Sequence, residues 1–416
     1  MTGHFGKPQR KNPLARTRQP LLPPAARSRR AHELTAAAAE GRFALQRCGG
    51  CGAFAYPVRE ACPNCLSADL ILADAPDTGF VLSVTAAEVP ADNYFRERAP
   101  WRVGLVQFDC GPTALCHLHA ACTTGIPVQL FLKLDKAGQA VFFAAPREGK
   151  FDMADDPQWR ELTADPRHRR VLITDGRHPV TGSLVARLRE AGAGDIFVGV
   201  PEDWKPFAGR EALERHEGVN LLPLDVTSET SVADFTRDYG AKIEIVINTA
   251  DFVRPGGILA SGQINPTRDA MEVIVFGMMR LAQSLAPVMI ARGADGAAGA
   301  AAWVNLLSIY AEAHSPGFAA YGATQAAALA LSHALRAELG AGGVRLINVL
   351  SGPTESEWFQ PLQQPKVAHK AIADAVVDGL RRGLEDIYVG DVAKDLHQRL
   401  KTNPKAVERE LGRERP

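Results

Sequence analysis

The 416-residue chain has no run of about eighteen apolar residues, so it lacks the composition of a helix that crosses a bilayer. Net charge is missing too. Its 47 Lys and Arg balance 47 Asp and Glu, so no overall field draws it to nucleic acid or an anionic membrane. The opening stretch MTGHFGKPQRKNPLARTRQP contains no apolar core of the signal-peptide kind. Cysteine is sparse, with seven in all and four of these in CxxC pairs, which suits a metal in a reducing compartment better than disulfides. A cytoplasmic protein without membrane association is the expectation, and the length calls for more than one core.

What is present begins with a basic arm. Residues 1–30 hold eight Lys and Arg, no acid and five prolines, too polar to order themselves, so 1–27 is read as a flexible arm. A helix is predicted from Ser28 to about Glu40, with Gly41 closing it. CGGCGAFAYPVREACPNC follows. Each CxxC forms a tight knuckle that turns two thiolates toward one ion, and Cys48, Cys51, Cys62 and Cys65 together make a tetrahedral Zn²⁺ site. All four places are filled by sulfur, leaving none for substrate, so the zinc is structural and 28–69 is a helix with a zinc ribbon.

Over 70–148, short β-rich runs (FVLSVTAAEV, WRVGLVQFD, TALCHLHA, PVQLFLKL, AVFFAA) alternate with turn residues, which predicts a five-stranded barrel. Residues 71–150 carry eight acids against seven bases, without the basic groove that nucleic acid requires. Cys110, Cys116, His117, His119 and Cys122 lack metal-ligand spacing. Strand alternation puts His117 and His119 on one face and Cys116 on the other, as core or strand-surface residues.

The stretch LQRCGGCGAFAYPVREACPNCLS, with its preceding helix and a barrel carrying GLVQFDCGP, resembles the zinc-ribbon/OB-fold proteins that accompany acyl-CoA thiolases. The resemblance implies a small subunit bound to a thiolase-like partner, holding an acyl-CoA or completing its pocket.

Residues 149–169 are read as a linker. From 170 to 416, strands alternate with helices: VLIT, DIFVGV, NLLPLDV, EIVIN, WVNLLS and VRLINVLSG, the pattern of a doubly wound, Rossmann-like parallel sheet. The tail AVVDGLRRGLEDIYVGDVAKDLHQRL reads as an amphipathic extension. The series is similar to the short-chain dehydrogenase/reductase family. LDVTS, with Asp225, stands at the family's adenine-side aspartate, and NTAD stands where the family has Asn-Asn-Ala-Gly. Ser308 precedes Tyr321 by the family's catalytic spacing, and SGPT occupies its Pro-Gly turn.

Position by position, that chemistry is depleted. In TDGRHPVTG the three phosphate-loop glycines fall on Asp175, Pro179 and Thr181, with Gly176 and Gly182 the glycines that remain. Glycine there lets backbone N–H groups approach a pyrophosphate, whereas Pro179 has no N–H and Asp175 adds a negative charge. The ribose-binding acid is replaced by Gly199 or Val200, with Glu202 beyond Pro201. Gln325 replaces the lysine of Tyr-x-x-x-Lys, and Ile274 replaces the asparagine. A free tyrosine, with pKa about 10, is ionised in roughly one molecule in a thousand at pH 7. Glutamine supplies no charge to change that.

No catalytic or dinucleotide-binding residue is therefore expected, Ser308 and Tyr321 being remnants and NAD(P) not a cofactor. The expected protein is a non-catalytic acyl-CoA-binding and scaffolding subunit of a thiolase-type complex in β-oxidation-like degradation. Its second domain would pair with itself or with an active dehydrogenase, a scheme shown by families of anaerobic aromatic β-oxidation enzymes. The alternative is an NAD(P)-dependent 3-hydroxyacyl-CoA dehydrogenase fused to an acyl-CoA-binding module. A nucleic-acid binder using ribbon, barrel and arm is the third reading, and the neutral barrel opposes it.

Overall fold

The computed structural model describes residues 21–24, 31–149, 151–202, 204–259, 264–293 and 299–413, and the expected basic arm lies outside them but for 21–24. Two compact units form, Leu21–Asp165 with Arg381–Leu384 and Pro166–Leu380 with Glu385–Pro416.

The first unit opens with helix α1 (His32–Ala39), ended by Gly41 in the left-handed conformation at φ 71°. Strands β1 (Ala44–Cys48), β2 (Phe54–Ala55) and β3 (Leu70–Asp74) pair antiparallel in the order β2-β1-β3. The barrel follows: β4 (Thr78–Ala87), a short helix α2 (Asn93–Arg96), β5 (Trp101–Phe108), β6 (Thr113–Leu118), β7 (Pro127–Leu134) and β8 (Ala140–Pro146). It closes in the order β4-β5-β6-β8-β7, five strands from the five runs expected. Alternation supplies its core: on β6, Ala114, Cys116 and Leu118 point inward and pack with Phe108, Leu130 and Phe142. Gly104 has a steric reason, since a Cβ there would sit 2.4 Å from the Ser83 carbonyl oxygen.

The segment expected as a linker is packed. Helix α3 (Pro157–Glu161) is capped by Asp156, whose carboxylate accepts from Trp159 N. The Trp159 ring then seats edge-on against Phe131 and Phe143, with Leu162 completing an apolar patch. One tryptophan burying most of its surface outweighs the polar composition around it.

The second unit runs β9 (Val171–Ile173), α4 (Thr181–Glu190), β10 (Ile196–Val200), α5 (Arg210–Glu214), β11 (Val219–Pro223), α6 (Glu229–Tyr239) and β12 (Ile245–Asn248). Next come α7 (Asn265–Ala270), a π-helical turn Met271–Phe276, α8 (Gly277–Arg292), β13 (Ala302–Ser308), α9 (Ala319–Gly340) and β14 (Arg345–Ser351). The chain ends in α10 (His369–Arg382), β15 (Asp386–Val389), α11 (Asp391–Thr402) and α12 (Pro404–Leu411). All seven strands are parallel, ordered β11-β10-β9-β12-β13-β14-β15. The crossover point between β9 and β12 is where such sheets open a crevice at their C-terminal edge.

Two details depart from the sequence reading. DIYV is not part of an amphipathic tail but the seventh strand, and α10 buries Ile372, Val376, Val377 and Leu380. The continuous helical stretch Asn265–Arg292 is long and apolar enough to cross a membrane by length and composition, although no single apolar run in it reaches that length. Leu281, Leu285 and Met289 bind it into the core with Trp303, while Phe276 and Met279 stay exposed.

Candidate functional site

The ribbon builds its metal site from two matching knuckles. Cys48 N donates to Ala53 O and Gly52 N to Cys48 O; Cys62 N donates to Ser67 O and Leu66 N to Cys62 O. The fifth residue of each knuckle is left-handed, Gly52 at φ 74° and Leu66 at φ 64°. The four Sγ atoms lie within 4.8 Å of one another, with Cys48–Cys65 at 3.5 Å and Cys51–Cys62 at 3.6 Å. A Zn–S bond of about 2.3 Å gives tetrahedral sulfur edges of about 3.8 Å, so the residues fit a four-coordinate Zn²⁺. The backbone N–H groups of Cys51 and Gly50 draw the Cys48 thiol down to about 6, favouring the thiolate. Leu66 is 80% exposed, so its left-handed backbone is uncompensated by packing. Leu66→Gly is expected to raise the ribbon's stability by roughly 1 kcal/mol, read as slower amide exchange at Cys62–Ser67; unchanged or faster exchange would contradict this.

The barrel's other cysteines and histidines are dispersed. Burial raises the Cys116 thiol and pushes Cys122 up to about 12, so neither is a ready nucleophile. His117 accepts from Trp101 Nε1 at 2.9 Å. His119 lies beyond the strand end at Leu118, so it does not share a strand face with His117. It accepts instead from Ala121 N, with Nε2 3.8 Å from Asp156. Cys110 is half-buried.

In the second unit the loop after β9 closes on itself. Asp175 N donates to Thr249 Oγ1, Gly176 N to Gly199 O, Arg177 N to Asp175 Oδ1, and His178 N to Asp175 O. Val180 N donates to His178 Nδ1 and Thr181 N to His178 O. Between Asp175 and Thr181 every N–H the chain possesses is thus bonded internally, and Pro179 has none. Side chains seal it further. Both Asp175 oxygens receive Arg177, and Thr181 Oγ1 donates to Asp175 O at 2.8 Å. Burial pushes His178 down to about 4, keeping it neutral.

The ribose positions are equally committed. A Cβ on Gly199 would lie 2.4 Å from Thr174 O, so this glycine is required for strand packing. Val200 is buried in the sheet. Glu202 pairs with Arg177 and Lys205, and Asp225 accepts from Thr227 N and Oγ1 in its own turn.

Ser308, Tyr321 and Gln325 do come together, at the end of β13 and on successive turns of α9, and all three are buried. Gln325 bridges: its Oε1 accepts from Ser308 N at 3.0 Å, and its Nε2 donates to Asp251 at 3.3 Å. Tyr321 OH donates to the other Asp251 oxygen at 3.3 Å. Burial pushes the Asp251 carboxyl up to about 6, and burial with the adjacent Asp251 charge lifts Tyr321 well above its ordinary value. A phenol so raised holds its proton at neutral pH. Ile274 sits in the π turn, buried beside Tyr321 in one apolar cluster.

Asp251 was missed by sequence reasoning, although NTAD carried the signal: an acid where the resembled family has a glycine. Asp251, Ser308 and Tyr321 line a cavity of about 640 Å³ together with Asp175, His178, Arg254 and Trp358.

Comparisons with known proteins follow the same division. Residues 35–70 match the family profile described as ChsH2, rubredoxin-like zinc ribbon domain, and residues 73–132 that of the ChsH2 C-terminal OB-fold domain. Residues 182–389, half of the chain, match the profile described as enoyl-(acyl carrier protein) reductase. A relative named short-chain dehydrogenase PC-15, from Penicillium crustosum, is 29% identical over 46% of this chain and 68% of its own length. The 1-deoxy-11-beta-hydroxypentalenate dehydrogenase of Streptomyces exfoliatus is 28% identical over 48% of this chain and 72% of its own. A solved short-chain dehydrogenase from Burkholderia cenocepacia, in complex with NADP, covers 58% of this chain and 97% of itself at 29% identity and TM-score 0.52.

Proposed function

This chain belongs to the short-chain dehydrogenase family, in the branch described as enoyl-(acyl carrier protein) reductase, with a ChsH2-type zinc ribbon and OB-fold ahead of that domain; from this premise we propose that it is a non-catalytic subunit serving a thiolase-type partner on a CoA thioester. Its dehydrogenase-like domain works in assembly and turns over no dinucleotide. The observation that carries this reading is the loop in which every N–H from Asp175 to Thr181 is already satisfied. A pyrophosphate offered to that loop would have to break existing bonds to gain new ones, against the repulsion of Asp175. Asp251 adds a second obstacle, since its carboxylate takes up Tyr321 and Gln325.

The thiolase partner is inferred from the ribbon and barrel. Neither Cys116 nor Cys122 has the lowered pKa of a thiolytic nucleophile, so the covalent chemistry belongs to another chain. An assembly role for the second domain draws on the exposed Phe276 and Met279 of the long apolar helix, which offer a face to a second copy or to an active dehydrogenase.

Titration of NADPH and NADH against the purified chain, followed by thermal stability and cofactor fluorescence, is expected to give no shift; micromolar binding by either would overturn the reading. A specific observation favours the alternative of an NAD(P)-dependent 3-hydroxyacyl-CoA dehydrogenase: the B. cenocepacia relative is in complex with NADP, and Ser308 and Tyr321 remain adjacent here. The same titration separates the two. Co-purification with a thiolase, and thiolytic activity only in the mixture, are the further expected results.

A further inference from the structure

The cavity of the second unit holds a feature that neither catalysis nor assembly uses. Arg254 lies between two aromatic rings, its guanidinium carbon 4.4 Å from the Phe252 centroid and 4.3 Å from that of Trp358. One nitrogen, Nη1, donates to the adjacent Val253 carbonyl at 2.7 Å. Among the described residues no carboxylate pairs with Arg254, whereas Arg177, which lines the same cavity, is engaged by Asp175 and Glu202. A guanidinium held between two ring faces keeps its planar edge free and has already given up much of its rotamer freedom. It is therefore a preorganised fork for a planar oxyanion.

The rest of the cavity limits what that anion can be. Val253, Val349, Phe359 and Ile372 form apolar lining, and Asp251 and Tyr321 offer a carboxyl and a phenol to a polar oxygen. Glu355 and Glu357 also line the space, so a polyphosphate meets more negative than positive charge. A volume of about 640 Å³ holds a small organic molecule with room to spare.

We propose that this cavity is a receptor for a small carboxylic acid with an apolar body and a hydroxyl or carbonyl oxygen, the carboxylate on Arg254 and the oxygen on the Asp251–Tyr321 pair. This goes beyond the scaffolding role, and it rests on that reading only in that no dinucleotide fills the space.

The test uses the full chain with its zinc, and 3-hydroxy-3-phenylpropanoate as the probe in isothermal titration and saturation-transfer NMR. 3-Phenyl-1-propanol serves as the uncharged control. The acid is expected to bind at least about tenfold more tightly than the alcohol, and Arg254→Gln to weaken the acid alone by a similar factor. Arg254→Lys, which keeps the charge and loses the fork, should fall between. Arg254 is exposed, so these variants should fold, and an unchanged circular dichroism spectrum checks it. No binding of the acid, or equal binding by Arg254→Gln, would overturn the proposal. NADPH titrated in parallel tests the earlier reading separately, since its binding depends on the loop at Asp175 and not on Arg254.

Discussion

Removing zinc, by a strong chelator or by Cys62→Ser, is expected to unfold residues 49–69 and leave the barrel standing. Within that stretch only Ala55 and Cys62 are fully buried hydrophobic residues, and the half-buried Phe54, Tyr56 and Val58 that rest on the barrel core lie between the knuckles rather than in them, so the knuckles have too little apolar surface to stand against chain entropy. The metal must supply the difference, and structural Zn²⁺ contributes on the order of 10 kcal/mol to such folds. The boundary of the damage follows from packing. Leu34, Ala37, Ala44 and Leu45 share one core with Phe108, Leu118 and Leu130 of the barrel, so α1 and most of β1 are held by apolar contact rather than by sulfur. Amide exchange should therefore rise to unprotected rates over 49–69 and change little in β4–β8. Stoichiometric zinc release should accompany it. Exchange that stays protected in the knuckles after chelation, or a barrel that melts with them, would contradict this division. Cys110→Ser, at a half-buried cysteine outside the cluster, is the control and should release no zinc.

Legibility in the sequence tracked the range of the interaction involved. A CxxC knuckle is a five-residue object, so both were readable; β-rich runs set off by turn residues showed the five barrel strands, and apolar runs alternating with helices showed six of seven sheet strands. DIYV was passed over because three residues between the charged pair Glu385–Asp386 and Gly390 give little period to count, and only pairing with β14 makes the segment a strand. The linker reading of 149–169 failed for the same reason: Trp159 acquires its meaning from Phe131 and Phe143, which local composition cannot report. At the second-unit cleft, the absent glycines, lysine and asparagine were visible because the resemblance supplied what to look for. Asp251 was not, since its partners Tyr321 and Gln325 lie 70 and 74 residues away in the chain. The satisfied loop was hidden likewise; sequence shows that Pro179 lacks an N–H but not that Thr249, Gly199, Asp175 and His178 take up the others.

Asp251→Asn is expected to stabilise the second unit at neutral pH by roughly 2 kcal/mol and to change it little near pH 4. The carboxyl is pushed up to about 6 from an ordinary value of 3.8, burial being the main cause, while the Phe252 N–H and the bonds from Tyr321 and Gln325 work the other way. A raised folded-state pKa means the folded chain holds this proton more tightly than the unfolded one. Between about pH 4 and pH 6 the folded form is the better proton binder, so stability from this group declines as pH rises through that window and is flat above it. So large a rise in pKa corresponds to about 3 kcal/mol, and the partial exposure of Asp251 to the cavity reduces it. Asparagine mimics the protonated form: its Oδ1 can still accept from Gln325 and Phe252 N, its amide nitrogen can donate to the Tyr321 hydroxyl oxygen, and it never has to ionise. The difference in melting temperature between variant and wild type should therefore grow from near zero at pH 4 to its full size by pH 7. Subtracting the two profiles removes carboxylates that behave oppositely, such as Glu161, which despite its burial is held down to about 2 by Lys136 and Arg98. A difference independent of pH would mean that the amide acts through shape rather than charge. A destabilised variant at pH 7 would mean that ionised Asp251 is needed by the fold.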